Sequence, residues 1–162
     1  MKKLQFFYDY ECPFCKTGYE YFMDEIKNHP DIEIEWMPIE LNPSDSPSQT
    51  SLAGQSYYAA VELGADINAF HKLMYQATAV DRKDTENADV ICKILEALVD
   101  AKKLRAILES GKYAKQIAEN NFLAYEKSGV WFVPAIRMDG KKLDAVGGQG
   151  ISPEQLRKFF KG

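Results

Sequence analysis

The feature that most constrains the fold is a Cys-Pro-Phe-Cys motif at 12–15, directly after a short apolar segment. That segment, 3–8, is apolar and aromatic, which predicts a central β-strand buried on both faces. Cys12-Pro13 predicts the start of a helix, because proline suits the first helical position. The helix face follows at i, i+3, i+4 and i+7 as Tyr19, Phe22, Met23 and Ile26.

The rest of the chain completes an α/β pattern. Apolar and acidic residues alternate over 32–36, which predicts a second strand and so a β-α-β unit. A polar loop is predicted over 42–51, followed by helices only, up to a glycine stop at Ser128-Gly129. Near the end, an Asp139-Gly140 turn predicts a hairpin of 135–138 with 143–146, before a last helix.

Some smaller features of the helical and C-terminal parts also give predictions. Asp84 is a candidate helix N-cap. Cys92 lies beside an apolar stripe, where a buried cysteine usually packs as a small hydrophobe. Gly147-Gly148 is interpreted as a turn.

Composition excludes several classes of protein. The 162 residues are 46% hydrophobic and 27% charged, the balance of a soluble globular domain. A net charge of -4 argues against a nucleic-acid partner, and no stretch approaches the ~18 apolar residues of a membrane span. Because the apolar run 4–8 is shorter than the ~7–15 residues of a secretory signal, we expect a cytoplasmic protein without a membrane partner.

The two motif cysteines differ in their expected chemistry. Cys12 would cap a helix, where backbone N–H groups and the helix dipole stabilise a thiolate. We expect it to be the exposed nucleophile, and Cys15, one turn on, to be the shielded thiol that resolves a mixed disulfide. Pro13 fixes the first helical residue, and Phe14 adds an apolar surface beside the reactive sulfur.

Two acidic neighbours, Asp9 and Glu11, oppose the thiolate. We therefore expect a Cys12 pKa nearer to ~7 than to ~3.5, and a protein that works mainly as a reductant or isomerase. The redox-active disulfide needs no cofactor, and glutathione is a candidate reductant.

Other uses of the cysteines are weaker hypotheses. Zinc takes four ligands, and Cys92, His29 and His71 stand singly without a second chelating pair, so no metal site is expected. Three cysteines do not make a secreted disulfide framework.

Val133-Pro134 lies before the predicted hairpin, and base rates alone would make its peptide bond trans.

Taken together, these residues resemble the DsbA-like branch of the thioredoxin superfamily, which includes cytoplasmic FrnE-type proteins. The family pattern is an acidic residue three before C-P-x-C, a glycine three after it, then G-V-x-x-V-P, a G-K hairpin and G-A-Q. The matching residues here are Asp9, the motif 12–15, Gly18, Gly129-Val130, Val133-Pro134, Gly140-Lys141 and Gly147-Gly148-Gln149.

The resemblance implies a thioredoxin fold at 1–41 and 129–162, interrupted by a helical insertion at 42–128. It also implies that Val133-Pro134 is cis and faces Cys12, and that the Val133 backbone pairs with a bound peptide. Pro13, Phe14, Val133 and Pro134 are thus expected to support the catalytic pair, Cys12 and Cys15.

The chain departs from the family at two places. Phe132, preceded by Trp131, stands where the family often has glycine, and Phe14 replaces the histidine of periplasmic DsbA proteins. We expect Trp131, Phe132 and the pair Tyr57-Tyr58 to line a substrate groove, although core packing is the more common role of an aromatic side chain.

The predicted function is a cytoplasmic thiol–disulfide oxidoreductase that exchanges with protein or small-thiol substrates. Two alternatives stay open from the sequence: a non-catalytic thioredoxin-fold binding module, and a glutathione-dependent isomerase or transferase of a related branch. In the related kappa-class transferases the catalytic position is typically serine, so the presence of both Cys12 and Cys15 argues against the second alternative.

Overall fold

The computed structural model describes residues 1–41 and 51–162 and contains a four-stranded mixed sheet of strand order β2-β1-β3-β4. Strand β1 is central, as predicted, and runs parallel to β2 and antiparallel to β3. Its Phe6 lies opposite Trp36 of β2 and Ile136 of β3. The strands are β1 (Lys2–Tyr8), β2 (Ile32–Pro38), β3 (Ala135–Met138) and β4 (Lys141–Asp144).

Two helices pack together beside the sheet. Helix α1 (Pro13–Ile26) connects β1 to β2, and helix α7 (Pro153–Lys161) ends the chain. Ser152 caps α7: its side chain accepts from the Gln155 N–H, and the Gln155 side chain accepts from the Ser152 N–H. The predicted β-α-β and β-β-α order is confirmed.

The described chain between β2 and β3 is helical, as predicted. It contains helices α2 (Ser51–Glu62), α3 (Ile67–Tyr75), α4 (Ala88–Leu95), α5 (Ala101–Ser110) and α6 (Ala114–Phe122), with π-helical turns at Gln76–Val80 and Leu123–Lys127. Of the loop predicted over 42–51, residues 42–50 lie outside the described residues, and Ser51 begins α2. The domain boundaries at 41/42 and 128/129 stay a prediction. No described helix has the length and apolar content to cross a membrane.

Two local predictions are wrong. Asn87, not Asp84, caps α4 by accepting from the Asp89 N–H, whereas Asp84 accepts from the Glu86 N–H in a turn. Strand β4 is Lys141–Asp144 instead of 143–146, because Asp139 and Gly140 both have positive φ and form a two-residue turn. That two-residue turn pairs Met138 directly with Lys141.

A cluster of aromatic rings surrounds His71, which is fully buried on α3. The Tyr8 and Tyr10 hydroxyl oxygens are 2.8 Å apart, and the Tyr10 hydroxyl lies 3.1 Å from His71 Nδ1. Burial lowers the pKa of His71 to about 3, so its imidazole is neutral. We call this set the His71 cluster; its other rings are Tyr19, Trp36, Tyr57, Phe70 and Tyr75.

Candidate active site

The Cys-Pro-Phe-Cys motif begins α1 in the way its sequence predicts. Cys12 is the N-cap, in an extended conformation, and Pro13 occupies the first turn, where a missing N–H costs no helical hydrogen bond. The Cys12 carbonyl accepts from the N–H groups of Cys15 and Lys16, at 3.0 and 3.2 Å. The Cys12 sulfur is thereby held at the helix N-terminus, where the backbone favours a thiolate.

The two motif sulfurs differ in burial less than the sequence predicts. Cys15 is fully buried, as expected, but Cys12 is itself only 9% exposed. The prediction of an exposed Cys12 is therefore wrong. The physical reason is the covering loop: the Val133 carbonyl oxygen lies 4.0 Å from Cys12 Sγ. Cys12 reaches solvent through a groove, while Cys15 is sealed beneath it.

The same arrangement separates the acidities of the two thiols. The hydrogen bond from Cys15 lowers the pKa of Cys12 to about 7, helped by the backbone N–H groups of Cys15 and Phe14 and opposed by burial. Burial, reinforced by Cys12, raises the pKa of Cys15 well above its ordinary value. The Cys12 pKa agrees with the value expected from the sequence, although its largest cause is the Cys15 thiol and not the helix terminus.

The two acidic neighbours act differently. Asp9 is buried and raises the pKa of both motif cysteines by charge repulsion. Its backbone N–H points at Cys15 Sγ, 3.5 Å away, and its carboxylate accepts from the N–H groups of Glu11 and Leu41 at 3.0 and 3.1 Å. Asp9 thus connects the motif to Leu41, three residues after the end of β2.

Glu11 turns toward the helical block. Burial and the charge of Glu86 raise the pKa of its carboxyl, and Arg82 lowers it. The predicted opposition to the Cys12 thiolate is therefore carried by Asp9, while Glu11 faces the segment before α4.

The loop before β3 contacts α1 at one point of close approach. The Val133–Pro134 peptide bond is cis. A Cβ atom at Gly18 would lie 2.6 Å from Cγ of Pro134, so only glycine allows this contact. The missing side chain at position 18 lets the loop settle against α1, which brings the Val133 carbonyl to the Cys12 sulfur.

The groove that reaches Cys12 has a volume of about 350 Å³ and a largely apolar wall. Apart from the Cys12 thiol, none of the described residues lining it can carry a charge. Three of its exposed side chains are aromatic: Trp131 is 80% exposed, Phe132 44% and Phe14 40%, beside the aliphatic Val146 at 47% and Leu41 at 44%. The lining consists of Cys12, Phe14, Leu41, Trp131, Phe132, Val133 and residues 146–148.

Only part of this groove is predictable from the sequence. Trp131 and Phe132 line it as predicted, but Tyr57 and Tyr58 line a separate cavity beside β2, so that prediction is wrong. Leu41 and Val146 were missed because long-range folding brings them to Cys12. The available signal for Leu41 was its place just after a strand parallel to β1, at the same sheet edge as the motif.

The remaining candidate ligands lie apart from one another. Cys92 is buried on α4, and burial raises the pKa of its thiol. His71 lies in the aromatic cluster and His29 stacks on Phe160. Within residues 1–41 and 51–162, no three His, Cys, Asp or Glu side chains are grouped as metal ligands would be.

Comparison with known proteins agrees with this geometry. A probable DsbA oxidoreductase from Streptomyces coelicolor superposes with a TM-score of 0.82 at 15% identity, covering 98% of this chain and 88% of that one. Pseudomonas aeruginosa DsbA superposes with a TM-score of 0.75 at 19% identity, covering 99% and 80%. At these identities the likeness shows a shared thioredoxin fold with a helical insertion.

Sequence comparison extends the likeness. The uncharacterized protein YwbO of Bacillus subtilis (strain 168) is 26% identical in an alignment 192 residues long. The alignment covers 93% of this chain and 96% of YwbO. The model of the DSBA-like thioredoxin domain matches residues 3–161. With Cys12 and Cys15 at the start of α1 and the Val133–Pro134 loop against them, the chain belongs to the DSBA-like thioredoxin domain family.

Proposed function

We propose that this protein is a thiol–disulfide oxidoreductase in which Cys12 and Cys15 cycle between a dithiol and a disulfide. One observation carries the proposal: the sulfur with the lowered pKa opens into a groove, and its partner with the raised pKa is sealed behind it. This asymmetry suits a nucleophile and a resolving thiol.

In the first step, the Cys12 thiolate attacks one sulfur of a substrate disulfide. The substrate S–S bond breaks, a Cys12–substrate disulfide forms, and one substrate thiolate leaves and takes up a proton. A pKa of about 7 keeps a substantial fraction of Cys12 ionised near neutral pH. The Val133 carbonyl beside the sulfur is placed to accept a backbone N–H from an extended substrate.

In the second step, Cys15 loses its proton and attacks the Cys12 sulfur of the mixed disulfide. The Cys12–substrate bond breaks, the second substrate thiolate leaves, and the Cys12–Cys15 disulfide forms. Two electrons have passed to the substrate, and the reverse sequence oxidises a substrate dithiol. A Cys12 pKa of about 7 is a modest lowering, so the thiolate of the reduced pair is only modestly stabilised. Because strong oxidising power requires a strongly stabilised reduced form, we assign the protein mainly a reducing or isomerising role.

The proposal extends to the surroundings of the reaction. The substrates are protein or small-molecule disulfides, and no cofactor beyond the cysteine pair takes part. A cytoplasmic location fits a reducing role, because cytoplasmic thiols are kept reduced.

The test uses one variant for each cysteine in a turbidity assay of insulin disulfide reduction. Cys12→Ser removes the nucleophile, and we expect at least a hundredfold loss of rate. Cys15→Ser leaves attack intact but blocks resolution, so Cys12–substrate disulfides accumulate and are seen by mass spectrometry.

Cys92→Ser is the matched control and should keep the wild-type rate. Insulin reduction that survives Cys12→Ser would contradict the proposal, and a wild type that does not reduce insulin would favour a non-catalytic binding module. Glutathione-dependent turnover that survives Cys15→Ser would point instead to the other alternative, a glutathione-dependent isomerase or transferase of a related branch.

A further inference from the structure

Three exposed aromatic rings form a rim around Cys12, and we call Phe14, Trp131 and Phe132 the aromatic rim. Each keeps a large apolar surface in contact with solvent, which costs free energy in an isolated protein. The loop that faces them supplies another exposed apolar side chain, Val146. Such a concentration of exposed apolar surface marks a binding site.

Two rings of the rim are seated on the backbone of the loop 146–150. A Cβ at Gly147 would lie 2.9 to 3.4 Å from three atoms of the Phe132 ring, and a Cβ at Gly150 would lie 3.2 and 3.3 Å from Phe14. Glycine at both positions therefore lets the rings lie directly on the chain. The rim is built by this loop as much as by the aromatic residues themselves.

The loop 146–150, on which the two rings lie, is itself fixed by hydrogen bonds. Val146 and Gly150 exchange two backbone hydrogen bonds, of 3.2 and 2.9 Å, and Gln149 N–H donates to the Val146 carbonyl at 2.9 Å. Because the loop is closed on itself, its glycines hold a constant position against Phe132 and Phe14. The rim is therefore organised before a substrate arrives, which lowers the entropy cost of binding.

Charge distinguishes the substrates that fit. Glutathione carries two carboxylates and one ammonium group close to its sulfur, and the described residues lining the groove include no lysine, arginine or histidine to pair with the carboxylates. Placing these charged groups against an apolar wall removes part of their hydration, and no ion pair with the wall offsets the lost hydration free energy. A cysteine in a polypeptide carries neutral amides in their place, and an apolar neighbouring side chain gains by covering the exposed rings.

We propose that Phe132, held by Gly147, is a specificity-determining residue that selects polypeptide cysteines with an apolar neighbour over glutathione and over cysteines with small or polar neighbours. This inference rests on the proposed function, because it assigns a preference to the exchange reaction at Cys12. Phe132 contacts the substrate side chain, and Gly147 is a positioning residue that acts through the Phe132 ring.

The test compares three symmetric disulfides as oxidants of the reduced protein. They are the disulfide of a peptide with leucine beside its cysteine, the disulfide of the same peptide with serine there, and glutathione disulfide. For the wild type we expect rate constants at least tenfold higher for the leucine peptide than for the other two. Phe132→Ala should reduce this ratio to within about twofold, with the Cys12 pKa unchanged.

Two further variants separate selection from general damage. Gly147→Ala keeps Phe132 but displaces its ring, and it should lower the leucine-to-serine ratio. Phe122→Ala removes an exposed phenylalanine of α6 that lines a different cavity, and it should leave all three rates at the wild-type values.

Each result has one meaning. Equal rates for the two peptides in the wild type, or a ratio that Phe132→Ala leaves unchanged, would overturn the inference while leaving the proposed function intact. Absence of exchange at Cys12 with all three oxidants would instead contradict the proposed function.

Discussion

The His71 cluster and the aromatic rim use the same residue types in opposite ways. In the cluster, rings around His71 are packed against one another, and hydroxyl groups such as that of Tyr10 are hydrogen-bonded. In the rim, Phe14, Trp131 and Phe132 keep their surfaces open to solvent. The comparison teaches that aromatic content alone does not locate a functional surface. What distinguishes the rim is exposure next to a reactive sulfur.

The largest difference is expected from a matched pair of truncations. Phe70→Ala empties a fully buried site in the cluster and should lower the free energy of unfolding by about 3–5 kcal/mol. Phe132→Ala should cost no more than about 1 kcal/mol, because its ring is already half in solvent. Urea unfolding followed by circular dichroism measures both. Equal losses would erase the distinction between the two regions.

A smaller effect should follow from removal of one hydroxyl in the cluster. Tyr10→Phe leaves the Tyr8 hydroxyl and His71 Nδ1 without their common partner, and should destabilise the protein by about 1–3 kcal/mol. Tyr21→Phe, which removes an exposed hydroxyl on α1, is the control and should have no measurable effect. The same unfolding assay serves for both variants.

The neutral His71 predicts a pH dependence of stability. Its folded pKa of about 3 lies below the unfolded value of about 6.5. At a pH between these values the unfolded chain binds a proton at His71, whereas the folded chain does not. Stability should therefore fall as the pH falls, by about 1 kcal/mol between pH 7 and pH 5.5 from this group.

The measurement compares wild type with His71→Asn over that pH range. The variant starts less stable, but its unfolding free energy should depend less steeply on pH. Parallel curves for the two proteins would show that His71 is protonated in the folded state, and the cluster would then be more open than its burial implies.

A further change is expected in the acidity of Cys12, which the aromatic rim surrounds. Cys15→Ala removes the hydrogen bond that lowers the pKa of Cys12 most, so that pKa should rise from about 7 toward the ordinary cysteine value of about 8.5. Thiolate absorbance against pH measures the change, with Cys92→Ala present in both proteins so that no thiol outside the pair titrates. A Cys12 pKa that stays near 7 would assign the effect to the helix N-terminus instead.

Local patterns were sufficient to predict most of the fold. Strand and helix periods are properties of a few neighbouring residues, which is why β1, α1 and the hairpin were found in the right order. The Asp139-Gly140 turn was also correct, but the start of β4 was not, because pairing depends on the φ angles that the turn adopts.

The site was predicted only where it is contiguous in sequence. Cys12 and Cys15 follow from one motif, whereas Val133 and Pro134 came from resemblance to a family. Tyr57 was misplaced, because no local pattern tells an aromatic residue of the His71 cluster from one of the rim. His71 itself was given no role, although it follows Phe70 on the buried side of α3.

The contact between Gly18 and Pro134 has a consequence for the order in which the molecule becomes reactive. The carbonyl that covers the Cys12 sulfur belongs to a residue 121 positions later in the chain. During synthesis the N-terminal motif therefore emerges long before its cover. Until the last strands arrive and the proline settles against the bare backbone at Gly18, the nucleophile is unshielded toward any passing oxidant. The missing methyl group at position 18 thus determines how completely the Cys12 thiol becomes buried. Alkylation of ribosome-bound chains of increasing length would measure this, as a fall in the labelling rate of Cys12 once the Val133–Pro134 loop is available.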